Sequence, residues 1–146
     1  MLASMSSSAN PASTNKPIKG PVLVVDDEQP LVNLFAESLA PYFEVSTATS
    51  AREAGFLMHK RPFKVVICDH LMPGGNGLSF LIDAREEYPN TQRILVTGYM
   101  KPEMLLRSVN EAALYRYLLK PVSLPELIKT VHEAALLYDQ AAALST

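Results

Sequence analysis

The chain has a single cysteine, Cys68, in 146 residues, so no internal disulfide can staple it, and the expected setting is a reducing one, the cytoplasm. No apolar run approaches the roughly 20 residues that span a bilayer. The N-terminal stretch is Ser, Ala, Asn and Pro without an apolar core, so it is not expected to act as a secretory signal. Charge of one sign is scarce as well. Thirteen Lys and Arg against fifteen Asp and Glu give −2, and Met1–Gly20 holds Lys16 and Lys19 but no acid. The remainder is therefore mildly acidic, which argues against a nucleic-acid footprint. Neither a membrane nor direct nucleic-acid contact is expected.

What the chain does have is a set of polar residues placed where apolar runs stop: Asp26-Asp27 after VLVV, Asp69 after VVIC, Thr97 after ILV, and Lys120 after YLL. A buried parallel strand reads as such a run, and in an open α/β sheet the strand C-termini open onto one crevice. These stations therefore read as a single site. Three carboxylates, a hydroxyl and an ammonium suit a divalent cation together with a phosphoryl group, a pairing that needs both signs of charge.

The length suits one domain with a real core. Strand-like runs fall at Val22–Val25, Phe43–Thr47, Val65–Cys68, Ile94–Val96 and Tyr115–Leu119. Helical stretches lie between them. The first, Glu28–Ala40, has Pro30 in its opening turn and Pro41 as its stop. Ser50 with Glu53 forms a capping box for the second, which must end before Pro62. The third covers Leu78–Tyr88, the fourth opens at Pro102 and runs through Ala112, and Ser123 with Glu126 caps a fifth. Five strand–helix units at this spacing predict a parallel sheet with helices on both faces. The expected organisation is a flexible tail over 1–20, one domain over 21–140, and a tail or linker stub over 141–146. Leu136, Leu137 and the alanines to Ala143 extend past the core-facing stripe, as a dimer seam, a linker or a frayed end would.

VLVVDDE (Val22–Glu28), VVICDHLMPGGNG (Val65–Gly77), ILVTGY (Ile94–Tyr99) and YRYLLKPVSLPEL (Tyr115–Leu127), in that order, resemble the receiver domain of two-component response regulators. The resemblance covers Pro21 to about Tyr138. It implies a flavodoxin-like, doubly wound (βα)5 sandwich with strand order 2-1-3-4-5. It also implies that Asp69 takes a phosphoryl group from a sensor histidine kinase or a phosphotransfer histidine, without substrate turnover beyond self-phosphorylation and self-dephosphorylation. By the same resemblance, Asp26, Asp27, Asp69 and the backbone carbonyl of Leu71 hold Mg²⁺ or Mn²⁺, Thr97 and Lys120 contact the phosphoryl oxygens, and Pro121 follows a cis peptide bond. Tyr117 occupies the place of a switch aromatic. Phosphorylation would then move the face built from the fourth helix, fifth strand and fifth helix, which is also a candidate homodimer surface.

Leu71 and Tyr99, two residues after Asp69 and Thr97, flank the solvent side of the phosphoryl group in receivers. A leucine cannot orient an attacking water and a tyrosine can obstruct one, so this pair is expected to tune the lifetime of the phosphoryl state and make it long. His59, His70 and His132 lack metal-ligand spacing, Cys68 points into the core, and the Gly74–Gly77 cluster reads as a tight turn. Two alternatives stand beside the receiver. An aspartyl-phosphate phosphatase of the haloacid-dehalogenase kind would carry D-x-D on one strand end, whereas Asp26 and Asp27 are adjacent here. A degenerate receiver would act as a phosphate-independent interaction module. The output, whether a further domain or a separate target, is not written in these residues.

Overall fold

The computed structural model describes residues 19–72, 75–98 and 100–145. Its five main strands are β1 (Lys19–Val25), β2 (Phe43–Ala48), β3 (Val65–Asp69), β4 (Gln92–Thr97) and β5 (Arg116–Leu119). They alternate with α1 (Gln29–Leu39), α2 (Ala51–Lys60), α3 (Gly77–Glu87), α4 (Pro102–Ala112) and α5 (Leu124–Ser145). The strands pair in parallel in the order β2-β1-β3-β4-β5, as expected.

Because strand side chains alternate between faces, each central strand contributes to two cores. Leu23, Val25, Val66, Cys68 and Leu95 pack with Ala54, Met58, Leu81, Ala84 and Ala112 of α2, α3 and α4. Val22, Val24, Val65, Ile67, Ile94 and Val96 pack with Phe35, Leu39, Leu127, Val131 and Ala135 of α1 and α5. An apolar run without polar alternation is thus what a strand covered on both sides requires.

Pro21 marks where the first strand departs from expectation. The strand starts at Lys19, inside the segment expected to be a tail, because Lys19 already pairs with Phe43, and the register shifts between that pair and Val22↔Val45. A bulge is one of the few places where a strand tolerates a residue without an N–H. The Pro21 carbonyl still accepts from the Lys64 amide at 2.8 Å. At the other end, α5 continues without a break through the residues assigned to a linker stub, giving 22 residues or about 33 Å. Lys64 Nζ pairs with Asp139 on this helix at 2.8 Å, while Leu136, Leu137 and Leu144 remain exposed. None of the described helices is long and apolar enough to cross a membrane.

The caps at Ser50 and Ser123 form as the sequence suggests, the first with its glutamate bonding back. Ser50 Oγ accepts from the Glu53 amide at 3.1 Å, and Glu53 Oε1 accepts from the Thr49 amide at 2.9 Å. Ser123 Oγ accepts from the Glu126 amide at 3.3 Å. A third cap was not anticipated: Asn76 Oδ1 accepts from the Ser79 amide at 2.7 Å and starts α3 one residue before Leu78. Leu71–Met72 pairs antiparallel with Gly75–Asn76 in a small separate hairpin beside the β3 end.

Candidate functional site

The parallel register brings the strand ends level. Val25 faces Cys68, Asp69 faces Val96, and Thr97 faces Leu119, so the residues that follow β1 and β5 meet those that end β3 and β4. Backbone bonds lock this edge. The Asp26 amide donates to the Ala48 carbonyl at 3.1 Å, the His70 amide to Val96 at 2.9 Å, and the Lys120 amide to Thr97 at 2.9 Å.

On that edge Lys120 Nζ lies 2.8 Å from Asp69 Oδ1 and 3.9 Å from Asp26 Oδ2. Carboxylate oxygens of Asp26, Asp27 and Asp69 lie within 4.8 Å of one another. Asp26 and Asp69 are buried, 2% and 6% exposed, whereas Asp27 faces solvent. Burial pushes the Asp26 carboxyl up to about 6, and Asp69 and Asp27 add to the rise. The Glu28 amide, donating to Asp26 Oδ1 at 2.9 Å, and Lys120 oppose it. Burial alone would lower the Lys120 ammonium, but the bond to Asp69 and the fields of Asp69, Asp26 and Glu28 together raise it.

One ammonium against three carboxylates leaves a net negative pocket. A buried carboxylate whose proton affinity is raised wants a cation, and a donor set of hard oxygens with one exposed member fits an ion that keeps part of its water, as Mg²⁺ does. Asp26, Asp27 and Asp69 are the side chains that fit it.

The other expected site residues fall as follows. Thr97 is buried at the end of β4, and the Lys120–Pro121 peptide is cis. The Leu71 side chain is 70% exposed beside the site. Tyr117 is half-exposed on β5, against a cavity of about 370 Å³ lined by Pro102, Leu105, Leu106 and Val109 of α4. Tyr99 lies outside the described residues. Burial pushes the Cys68 thiol far up, with Asp69 and Asp26 adding to it, so it remains a core thiol.

In the sequence Gly77 closes both the M-P-x-x-x-G spacing after Asp69 and the glycine cluster. Its amide donates to the His70 carbonyl at 2.7 Å, and an added Cβ would overlap the Asp69 carbonyl oxygen. The glycine therefore lets α3 approach the backbone that carries Asp69. The M-P-x-x-x-G spacing was the available signal.

Residues 22–132 match the family model described as the response regulator receiver domain. The chain belongs to the response regulator receiver family. The receiver is 42% identical over 113 residues to the hydrogenase transcriptional regulatory protein HoxA of Cupriavidus necator, covering 77% of this chain and 23% of HoxA. It thus spans about a quarter of the length of the curated relatives it matches. It superposes with a TM-score of 0.79 on the signal receiver domain of an HD domain-containing protein from Pseudomonas fluorescens Pf-5, at 28% identity, covering 84% of this chain and 98% of that one. It superposes with a TM-score of 0.75 on the beryllofluoride-activated NtrC4 receiver domain dimer, at 29% identity, covering 80% and 97%. The receiver is accordingly a phospho-accepting signalling domain of the two-component kind, regulatory in character.

Proposed function

We propose that Asp69 is the phospho-acceptor, and that Asp26, Asp27, Asp69 and the Leu71 backbone carbonyl hold Mg²⁺ or Mn²⁺ beside it. The observation that carries this reading is the 2.8 Å pairing of Lys120 with Asp69 inside a cluster of three converging carboxylates. An oxygen of Asp69 attacks phosphorus while the bond from phosphorus to the donor's histidine nitrogen, or to an acyl oxygen of a small donor, breaks and its electron pair leaves with the donor. Lys120 exchanges its carboxylate contact for a phosphoryl oxygen, and the Thr97 hydroxyl donates to another. A bound divalent cation supplies charge neutralisation for the carboxylates and the transferring oxygens. Incubation with acetyl phosphate and Mg²⁺ is expected to add one phosphoryl group to the wild type and none to Asp69→Asn. Continuous release of phosphate from simple esters would point instead to a phosphatase, and no modification to a phosphate-independent module.

The partners follow from the same chemistry: a sensor histidine kinase or a phosphotransfer protein as donor, and an output outside these residues as recipient. HoxA is a transcriptional regulatory protein by name, so a transcriptional output in a longer chain is the reading its 42% identity supports. A homodimer through α4, β5 and α5 is supported by exposed Met104, Leu106, Tyr117 and Leu119 and by the dimeric NtrC4 receiver.

Leu71 and Tyr99 tune how long the acyl phosphate lasts. Exposed Leu71 offers no group to orient water, so Leu71→Asn is expected to speed phosphate loss about tenfold, or ~1.4 kcal/mol of barrier. Following the decay of modified protein by mass checks this, and equal rates in both proteins would remove the role.

Tyr117 is the switch aromatic that reads Thr97. On phosphorylation, Thr97 draws toward the phosphoryl group and the half-exposed ring moves inward along the α4 cavity. Ring resonances of Tyr117 followed by NMR should shift on phosphorylation in wild type and stay in place in Thr97→Ala.

A further inference from the structure

Two arginines outside the site converge on one helix end. The last four carbonyls of an α-helix have no amide partner within it. In α4, the carbonyls of Asn110 and Glu111 accept from Arg85 Nη1 of α3 at 3.1 and 2.8 Å. Those of Ala112 and Ala113 accept from Arg93 Nε and Nη2 of β4 at 2.7 and 3.2 Å. The carbonyls of the last three helical residues and of the Ala113 C-cap are thus taken by guanidinium groups from neighbouring elements, while that of Val109 accepts from the Ala113 amide. Arg93 is 5% exposed, forms no ion pair among the described residues, and also donates to the Thr91 carbonyl at 2.6 Å. Its charge is offset by carbonyls and by the negative end of the α4 dipole. Ala113 holds a left-handed conformation, φ 47°, that costs an alanine about 1 kcal/mol. Its carbonyl is the one that Arg93 Nη2 grips.

The other end of α4 is held differently. Lys101 at the N-cap provides no side-chain acceptor, and Pro102 follows it. The fully buried residues of the helix, Ser108 and Ala112, both lie in its C-terminal half. Residues 102–104, 106 and 107 are exposed. This solvent-facing end joins β4 through Gly98 and the buried Met100, and its residues line the cavity beside Tyr117.

We propose that Arg85 and Arg93 are positioning residues that fix the C-terminal end of α4, so that phosphorylation turns this helix about residues 110–113 and moves its N-terminal half over Tyr117. The inference rests on Asp69 as the phospho-acceptor. It assigns a fulcrum to a response that the site alone leaves undirected. Pro102 lies about 12 Å along the axis from Asn110, so a tilt of roughly 10° displaces it by about 2 Å and reshapes the cavity.

The experiment measures pairs of spin labels, with one label at Glu37→Cys on α1 and the second at Glu103→Cys or Glu111→Cys. Native Cys68 is buried. Distances are recorded with and without acetyl phosphate and Mg²⁺, and intact mass reports Asp69 occupancy in the same samples. In otherwise wild-type protein the label at 103 is expected to shift by about 2 Å while that at 111 stays within about 1 Å. Arg85→Ala should leave phosphorylation unchanged and give the 111 label a broadened distribution that also shifts. Arg93→Lys, which keeps the charge but lacks the planar fork that reaches the Thr91, Ala112 and Ala113 carbonyls from three nitrogens, should do the same, and Arg85→Lys should restore only part of the asymmetry. With Asp69 modified, equal shifts at both ends of wild-type α4, no shift at 103, or an unaltered 111 distribution in Arg85→Ala overturns the proposal. An unmodified Asp69 removes instead the reading beneath it, and the mass shows which has failed.

Discussion

Replacing Gly77 with alanine is expected to destabilise the receiver by about 3 kcal/mol. The added methyl would overlap the Asp69 carbonyl oxygen and approach the Asp69 carbonyl carbon and Cys68 Sγ to 2.9 Å each. Two of those atoms are backbone at the end of a central strand, so no flexible side chain can yield. Relief requires moving α3 or Asp69 itself, and the Gly77 amide bond to His70 resists the first. A lower urea midpoint should therefore be accompanied by slower phosphorylation of the fraction that folds. Gly55 provides the control. Nothing lies within 4 Å of a Cβ there, and it sits within α2, so Gly55→Ala should stabilise by about 1 kcal/mol through helix propensity. Equal effects at the two glycines would contradict the close-packing account.

Asp26→Asn is expected to make the cation-free protein more stable at pH 7, by about 2 kcal/mol, while weakening its response to Mg²⁺. The sign follows from the raised Asp26 carboxyl, about 6 in the fold against 3.8 for the free group. Below about pH 4 the group is protonated in both states. Between about 4 and 6 the unfolded chain gives up this proton while the fold retains it, so the contribution to stability falls as pH rises. Above 6 the full penalty is present. Wild type without a divalent cation should therefore lose stability across that window, and Asp26→Asn should show a flatter profile. Millimolar Mg²⁺ should add about 1–3 kcal/mol to the wild type by binding only the folded state. Denaturant midpoints across pH, with and without Mg²⁺, check both halves. An Asp26→Asn protein no more stable than wild type at pH 7 would contradict the electrostatic account.

The parts of the fold that were legible in the sequence are those set by local pattern. Runs such as VLVV and VVIC declare strands covered on both faces, and the residue after each run is placed by chain direction alone. Ser50 with Glu53 and Ser123 with Glu126 announce helix starts because a cap is a contact between near neighbours. The features that escaped depend on distant approach. Lys19 and Gly20 read as the end of a tail, with the domain starting at Pro21, because the bulge that carries the strand back past this proline requires β2 alongside. Gly77 looked like a turn because its crowding comes from Asp69, a residue on another element. Nothing local distinguishes Arg85 or Arg93 from surface arginines until α4 ends against them. Where α5 stops was not legible, because the alanine-rich run carries no stop signal, and the helix continues through it to Ser145.

The central claim is that one carboxylate, Asp69, receives a phosphoryl group in a site completed by a divalent cation. Treating the protein with acetyl phosphate in the presence of Mg²⁺, trapping the acyl phosphate by borohydride reduction, and mapping the trapped position by peptide mass spectrometry tests it most directly. The account predicts a single modified position, Asp69, lost when Mg²⁺ is chelated and absent in Asp69→Asn. Modification at Asp26 or Asp27, modification that persists without a divalent cation, or none at all would contradict it.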